Sequence, residues 1–222
     1  MIWLLFLFLI VLGVVLIILV FILVTEGKYF GKPLIRWIYN RQSLALEVRD
    51  DWTYWEHLIR HLAIRLDERI LDLGTQTGHL PRLVARQRGF RGQIVGVDWS
   101  EEMISEARRQ AHLEGTSSRV KFLCQDVRNP LPFADASFTL VTCVTGLFKG
   151  LKTPTSLFSE IQRLLEINGR VAFRIDLQPL RSTPSRDEPW FTRHLQPLGF
   201  SFVKTQSWTP NRMIAIYQLS QK

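Results

Sequence analysis

The sequence predicts a doubly wound α/β domain, with a mainly parallel sheet closed by a hairpin, behind one helix able to cross a membrane. Three observations carry this. Five alternations of strand and helix with short loops run from Arg69 to Ile175, the pattern of parallel strands joined by crossover helices. After the first strand, the stretch ILDLGTQTGHL (Ile70 to Leu80) stops at Gly74 and turns into a helix opening near Gly78, as nucleotide-binding α/β units begin. Finally, Ile2 to Val24 contains no charge and, Gly13 apart, only Ile, Trp, Leu, Phe and Val.

That apolar run is long enough to span a bilayer. Its 23 residues at ~1.5 Å each reach roughly 34 Å, against a hydrocarbon layer of ~30 Å. A cleaved signal peptide wants a basic start, a shorter apolar core and a small-residue cleavage site. This run has no Lys or Arg before it and ends in Val24-Thr25-Glu26-Gly27. Lys28, Lys32, Arg36 and Arg41 follow it, so the positive-inside rule predicts a single-pass protein with its domain facing the cytoplasm. These cations, interleaved with Trp37, Ile38 and Tyr39, either lie on anionic headgroups or form an ordinary solvated linker. The chain thus divides into a transmembrane anchor, residues 1–25, a basic juxtamembrane linker, 26–49, and the α/β domain, 50–222.

Within the domain, Trp52, Trp55, Ile59, Leu62 and Leu66 recur at steps of three and four, which predicts an amphipathic helix from Asp50 to Leu66 capped by Asp50 or Asp51. Strands follow at Arg69 to Leu73, Gln93 to Asp98, Val120 to Gln125, Phe138 to Thr142 and Arg170 to Ile175. Helices are expected over Gly78 to Arg88, Glu101 to Glu114 and Thr155 to Leu165. The tail differs. Gln178 to Pro189 is a polar, Pro-rich loop, Trp190 to Pro197 a short helix, and Phe200 to Gln206 and Arg212 to Leu219 are strands with no helix between them. A hairpin there puts an antiparallel edge on the parallel sheet.

The net charge of +8 calls for acidic partners, and beside an anchor the membrane surface is the simpler account. No long Lys/Arg run or RNA-binding signature argues for nucleic acid. Cys124 and Cys143 lack metal-ligand spacing and read as reduced, buried residues. His57 and His61 lie four apart on a helix, but no third ligand stands near them in sequence, so no metal site is expected.

In open α/β sheets ligands sit beyond the carboxyl ends of the strands. Gly74 to Gly78 follows strand one, where missing side chains let a ligand approach the backbone. Asp98 ends strand two, 24 positions after Gly74, where a carboxylate can accept both hydroxyls of a ribose or, alternatively, cap the next helix. Asp126 ends strand three and can take the exocyclic amine of an adenine. A dinucleotide needs G-x-G-x-x-G to bring backbone to pyrophosphate; Gln76 fills the second glycine position, which leans away from NAD.

Taken together, ILDLGTQTGHL, VGVDWSEEMISEA, QDVRNPLPFADASF and EIQRLLEINGRVAF resemble the class I S-adenosylmethionine-dependent methyltransferases, over Arg69 to Ile175. The segment VTCVTGLFKGLKTPTSLFSEIQRLL is most similar to the branch of the ubiquinone and menaquinone C-methyltransferases. The resemblance implies a Rossmann-like, seven-stranded sheet with an antiparallel last strand, and S-adenosylmethionine as cofactor. It implies that Asp72 and the loop Gly74, Thr75, Gln76 to Gly78 hold the methionine end, and that Asp98 holds the ribose. Trp99 and Met103 would flank the adenine, Asp126 with Val127 would meet its edge, and Cys143 would line the pocket by its backbone. The chain departs from the family where glycine usually stands for Gln76, aspartate for Thr139, and the first of a Gly-Gly pair for Asn168.

A sulfonium is already a strong methyl donor, so the protein's task is to align acceptor, methyl carbon and sulfur. A base is needed only if the acceptor must first lose a proton; Thr145, Lys149, Asp176 and His79 are candidates, with none singled out. An anchored enzyme of this kind would meet small lipophilic acceptors concentrated in the bilayer. The rival reading is a membrane-tethered binding module that keeps the fold as a scaffold.

Overall fold

The computed structural model describes residues 2–24, 37–39, 41, 52–145, 155–176, 187–209 and 212–221. It divides into two units, Met1–Gln42 and Ser43–Lys222. In the first, helix α1 (Ile2–Val24) coincides with the apolar run. Its described side chains are exposed almost throughout, Ile22 being buried, and Leu5–Val24 is long and apolar enough to cross a membrane. Further on, the Arg41 guanidinium lies 5.1 Å above the Trp37 ring.

The second unit is a seven-stranded sheet with helices on both faces. In chain order it runs α2 (Trp52–Leu62), β1 (Arg69–Leu73), α3 (His79–Arg86), β2 (Gln93–Asp98), α4 (Glu101–Leu113), β3 (Val120–Cys124), β4 (Phe138–Cys143), α5 (Thr155–Leu164), β5 (Leu165–Asp176), α6 (Glu188–Leu195), a short 3-10 turn (Gln196–Leu198), β6 (Phe200–Thr209) and β7 (Arg212–Leu219). The strand order is β3-β2-β1-β4-β5-β7-β6. β1 to β5 are parallel, and β7 is antiparallel to both its neighbours. The order reverses between β1 and β4, which opens a crevice beyond their carboxyl ends.

Both faces of the sheet are buried, so its central strands are apolar at successive positions. Leu71, Val141, Val171 and Tyr217 face a core completed by Phe158 and Ile161 of α5 and Phe191 and Leu195 of α6. Ile70, Leu140, Ala172 and Ile216 face the opposite core, against Trp55 and Leu58 of α2, Val84 of α3, and Ile104 and Ala107 of α4. One-residue alternation along β1 thus assigns Ile70 and Leu71 to different cores.

Several boundaries move from the expected ones. α2 stops at Leu62, because Ala63 takes φ 48° in the left-handed region. Leu66 is therefore not on the helix; it is 46% exposed, and its carbonyl accepts from the Arg91 and Gly92 amides. The Asp50 or Asp51 cap lies outside the described residues. β5 begins five residues early, directly after α5, and absorbs the extra length as an irregularity: Phe138 pairs with Leu165 but Leu140 with Arg170. Asn168 sits in that irregularity at φ 68°, a conformation that asparagine tolerates better than most residues.

α6 begins at Glu188 rather than Trp190, capped by Asp187, whose side chain accepts from the Trp190 amide at 3.1 Å. Most of the expected Pro-rich loop lies outside the described residues. The terminal hairpin does form an antiparallel edge, as expected: β7, the last strand, pairs antiparallel with β5 and β6, and β6 takes the outermost place. Cys124, expected to be buried, is only half so, its thiol donating to the Trp99 carbonyl at 3.6 Å.

Candidate active site

The glycine loop after β1 is fastened to β2 and to the segment after β4. The amides of Gly74 and Thr75 both donate to the Val97 carbonyl of β2, at 2.8 and 2.9 Å. The Gln76 amide donates to Asp98 Oδ2 at 3.0 Å. Two residues beyond β4, the Thr145 hydroxyl donates to the Gly74 carbonyl. Gly78 closes the loop at φ 78° and serves as the N-cap of α3. A Cβ on Gly78 would lie 2.6 Å from the Phe122 ring, and one on Gly96 would lie 2.7 Å from Thr75 Oγ1, so both positions require glycine for space.

Asp98 is buried and joins two loops. Besides Gln76, it accepts the Ser100 amide on Oδ1 at 3.0 Å. It does not cap α4; Ser100 does, its Oγ accepting from the Met103 amide at 3.1 Å. Each Asp98 oxygen takes one of these backbone donors, and a carboxylate offers about four lone-pair sites. The next strand is tied in as well, since the Gln125 amide donates to the Asp98 carbonyl at 2.9 Å.

Asp72, near the end of β1, is fully buried. Its Oδ1 accepts from the Thr142 hydroxyl at 2.6 Å, across the pair that β1 and β4 place in register. Burial pushes its carboxyl up to about 6; the Thr142 and Thr75 hydroxyls oppose the shift and the negative Asp98 adds to it. Among the described residues, Thr75 Oγ1 makes no hydrogen bond of normal geometry. Cys143 ends β4 wholly buried, its thiol pushed well up by burial and then by the charge of Asp72.

The predicted residues therefore fall into two groups. Asp72, Gly74, Thr75, Gln76, Gly78, Asp98 and Cys143 gather at the carboxyl ends of β1, β2 and β4, with Trp99 and the buried Met103 just beyond Asp98. Asp126 and the buried Val127 follow β3 at the neighbouring position. Asp126 is engaged by Arg128, whose Nε lies 2.9 Å from both of its oxygens and whose Nη2 contacts Oδ2; these bonds hold the Arg128 guanidinium above its usual range. Gln76 has φ 53°, so the side chain that replaces the family's glycine stands where glycine is least strained. Thr139 bears on none of this: its Oγ1 bonds to the Arg69 backbone at the opposite end of β1 and β4.

Of the candidate bases, Thr145 is committed to Gly74. His79 is buried, its Nδ1 3.1 Å from Thr77 Oγ1 and its ring stacked on Trp55 at 5.8 Å. Asp176 ends β5, and Lys149 lies outside the described residues. Among the described residues no group of His, Cys, Asp or Glu is placed to hold a metal ion. Sequence reasoning missed Thr142, which only the β1–β4 register could have revealed.

A switch point between β1 and β4, a braced glycine loop and carboxylates on adjacent strand ends define a doubly wound domain built to hold a nucleoside cofactor. Residues 70–169 match a family model described as a methyltransferase domain. The chain is 35% identical over 118 residues to a demethylmenaquinone methyltransferase of Thermus thermophilus, covering 53% of this chain and 51% of the relative. It is 28% identical over 145 residues to a 2-phytyl-1,4-naphtoquinone methyltransferase of Trichormus variabilis, covering 62% of each. A solved S-adenosylmethionine-dependent methyltransferase of Aquifex aeolicus shares the fold at a TM-score of 0.66 and 16% identity, over 80% of this chain and 98% of that one. The chain spans 51% and 62% of the two curated relatives' lengths. Residues 70–169 thus match a methyltransferase domain, and the α/β unit has the fold of a solved S-adenosylmethionine-dependent methyltransferase.

Proposed function

We propose that this chain is a membrane-anchored methyltransferase that passes the methyl group of S-adenosylmethionine to a small lipophilic acceptor of the quinone type. The observation that carries the reading is the union, in one chain, of an uncharged helix of 23 residues with a methyltransferase domain whose relatives are named for quinone substrates. Lys28, Lys32, Arg36 and Arg41 support an orientation with the domain on the cytoplasmic side.

The residues fit the cofactor. The buried Asp72 carboxylate and the Thr75 hydroxyl, beside the backbone of the Gly74 to Gly78 loop, suit an amino-acid end, where an ammonium would complete what burial leaves unsatisfied. The Asp98 carboxylate, at the carboxyl end of β2, suits two ribose hydroxyls. Trp99 offers apolar surface to an adenine, whereas Met103 is fully buried; Asp126 reaches the adenine edge only by sharing itself with Arg128. When bound, the cofactor supplies an electrophilic methyl group, and the chain's part is to orient it and exclude water.

Calorimetry on the full chain in detergent should register binding of S-adenosylmethionine, weakened in Asp98→Ala by ~1–3 kcal/mol through lost charge-assisted hydrogen bonds. Absence of binding by the unaltered chain would instead favour a scaffold. The acceptor is tested by incubating the chain with methyl-labelled cofactor and membrane extract. Label is expected in a lipid-soluble small molecule; label confined to water-soluble compounds overturns the lipophilic assignment.

A further inference from the structure

A strip of basic side chains, with Arg60, Arg86 and Lys204 as its cations, crosses one face of the domain. α2 turns His57, Arg60 and His61 outward or to its side, while Trp55, Leu58, Ile59 and Leu62 are buried beneath them. α2 packs on the edge strand β6. There Lys204 pairs with Ile216 and so points to the side of the sheet that carries α2. On the other flank of α2, Arg60 and Arg86 of α3 line an open groove of about 750 Å³ with Glu56, Ile59, Leu83 and Gln87. Arg86, Arg60, His57, His61 and Lys204 thus follow one another across three elements. α2, α3 and β6 together contain a single acidic residue, Glu56.

The crowding is felt by the groups themselves. Burial first, and then the charges of His57, Lys204 and Arg60, hold the His61 imidazole below its usual range. An anionic surface laid against such a strip removes the mutual repulsion and gains attraction. The fold uses none of the five to shape the cofactor crevice, which opens at the carboxyl ends of β1, β2 and β4.

We propose that this strip, from Arg86 across α2 to Lys204, docks the domain on the anionic phospholipid headgroups of the bilayer. This rests on the reading of α1 as an anchor, and the charge of the strip selects the partner. Only 27 residues, 25–51, join α1 to α2, so a bilayer holding the anchor is an anionic surface at high local concentration. Arg60 and Arg86 present planar forks to phosphate, and Lys204 a mobile point charge. Docking adds a second contact to the anchor and limits the orientations in which the crevice meets the membrane.

The test is amide hydrogen exchange on the full chain in nanodiscs of phosphatidylcholine, alone or doped with phosphatidylglycerol. Exchange over 52–62 and 200–209 is expected to slow in the doped discs, while 155–164, on the other face of the sheet, serves as reference. Arg60→Gln and Lys204→Gln alter exposed side chains, and each should reduce docking roughly fivefold, the worth of one cation beside an anionic surface. Equal exchange in both lipids overturns the proposal. So does equal slowing in neutral discs on adding inorganic phosphate or RNA, which would make the strip a general anion site. If the chain fails to co-migrate with the discs, the anchor reading falls separately. Sedimentation with phosphatidylglycerol vesicles then decides the strip, binding supporting it and absence overturning it.

Discussion

Burial acts strongly on Asp72. Its folded carboxyl titrates near 6, above the ordinary 3.8. A raised acid makes its contribution to stability fully below the unfolded value and loses it as pH climbs through the folded one. Between about pH 4 and 6 the protein is therefore expected to lose up to ~3 kcal/mol that Asp72→Asn retains, at about 1.4 kcal/mol per unit. Chemical denaturation of both forms across that range measures it. Cofactor affinity should run the other way: an ammonium prefers the ionised carboxylate, so binding weakens below about pH 6, and Asp72→Asn loses that dependence. Gln76 poses a different residue-scale question. At φ 53° a non-glycine residue costs about 1–2 kcal/mol, of which glycine's greater unfolded freedom returns up to about 1. Gln76→Gly should raise the melting temperature slightly, by a net gain of about 0–2 kcal/mol on these figures.

At the scale of the element, the loop and the start of α3 act as one unit. Gly78→Ala would force a Cβ to 2.6 Å from the Phe122 ring at φ 78°. A cost of at least ~2 kcal/mol is expected from overpacking and backbone strain combined, with cofactor affinity falling in parallel as the loop shifts. Denaturant titration and calorimetry on the same sample would check both. Such elements are also where sequence and structure can be compared most usefully. β1 to β4 were legible because strands buried on both faces read as apolar runs between turn residues. The glycine loop was legible because its backbone needs are written in residue type. The end of α2 was not, since Leu66 keeps the helical spacing while Ala63 breaks the helix, and nothing in an alanine announces a left-handed turn. The early start of β5 was hidden for a similar reason: its irregularity depends on how Leu165 and Arg170 meet β4. Thr142 shows the same limit, as a threonine in a strand gains meaning only from the residue opposite.

The whole molecule joins an apolar helix to a basic α/β domain. If α1 crosses the bilayer, the full chain should stay with membranes through alkaline carbonate extraction, and a chain lacking residues 2–24 should be released. Retention of the shortened form would move the attachment to the domain, where the cationic strip is the first place to look. Two of the three departures from the family pattern also separate at this scale. Thr139 lies at the amino end of the sheet and bonds to backbone, whereas Gln76 lies at the carboxyl end beside Asp98. Only the second can alter ligand binding directly.

The position of β7 has a temporal consequence. In the chain β6 comes before β7, yet in the sheet β6 pairs with β7 alone. On a ribosome, β6 therefore emerges with no partner strand, while the flank of β5 stays bare beside it. At about 5–20 residues per second, the 20 residues from Phe200 to Leu219 take about 1–4 s to appear. Throughout that interval a nascent domain carries two sticky strands next to other translating chains. A premature stop just before Arg212 would make the interval permanent.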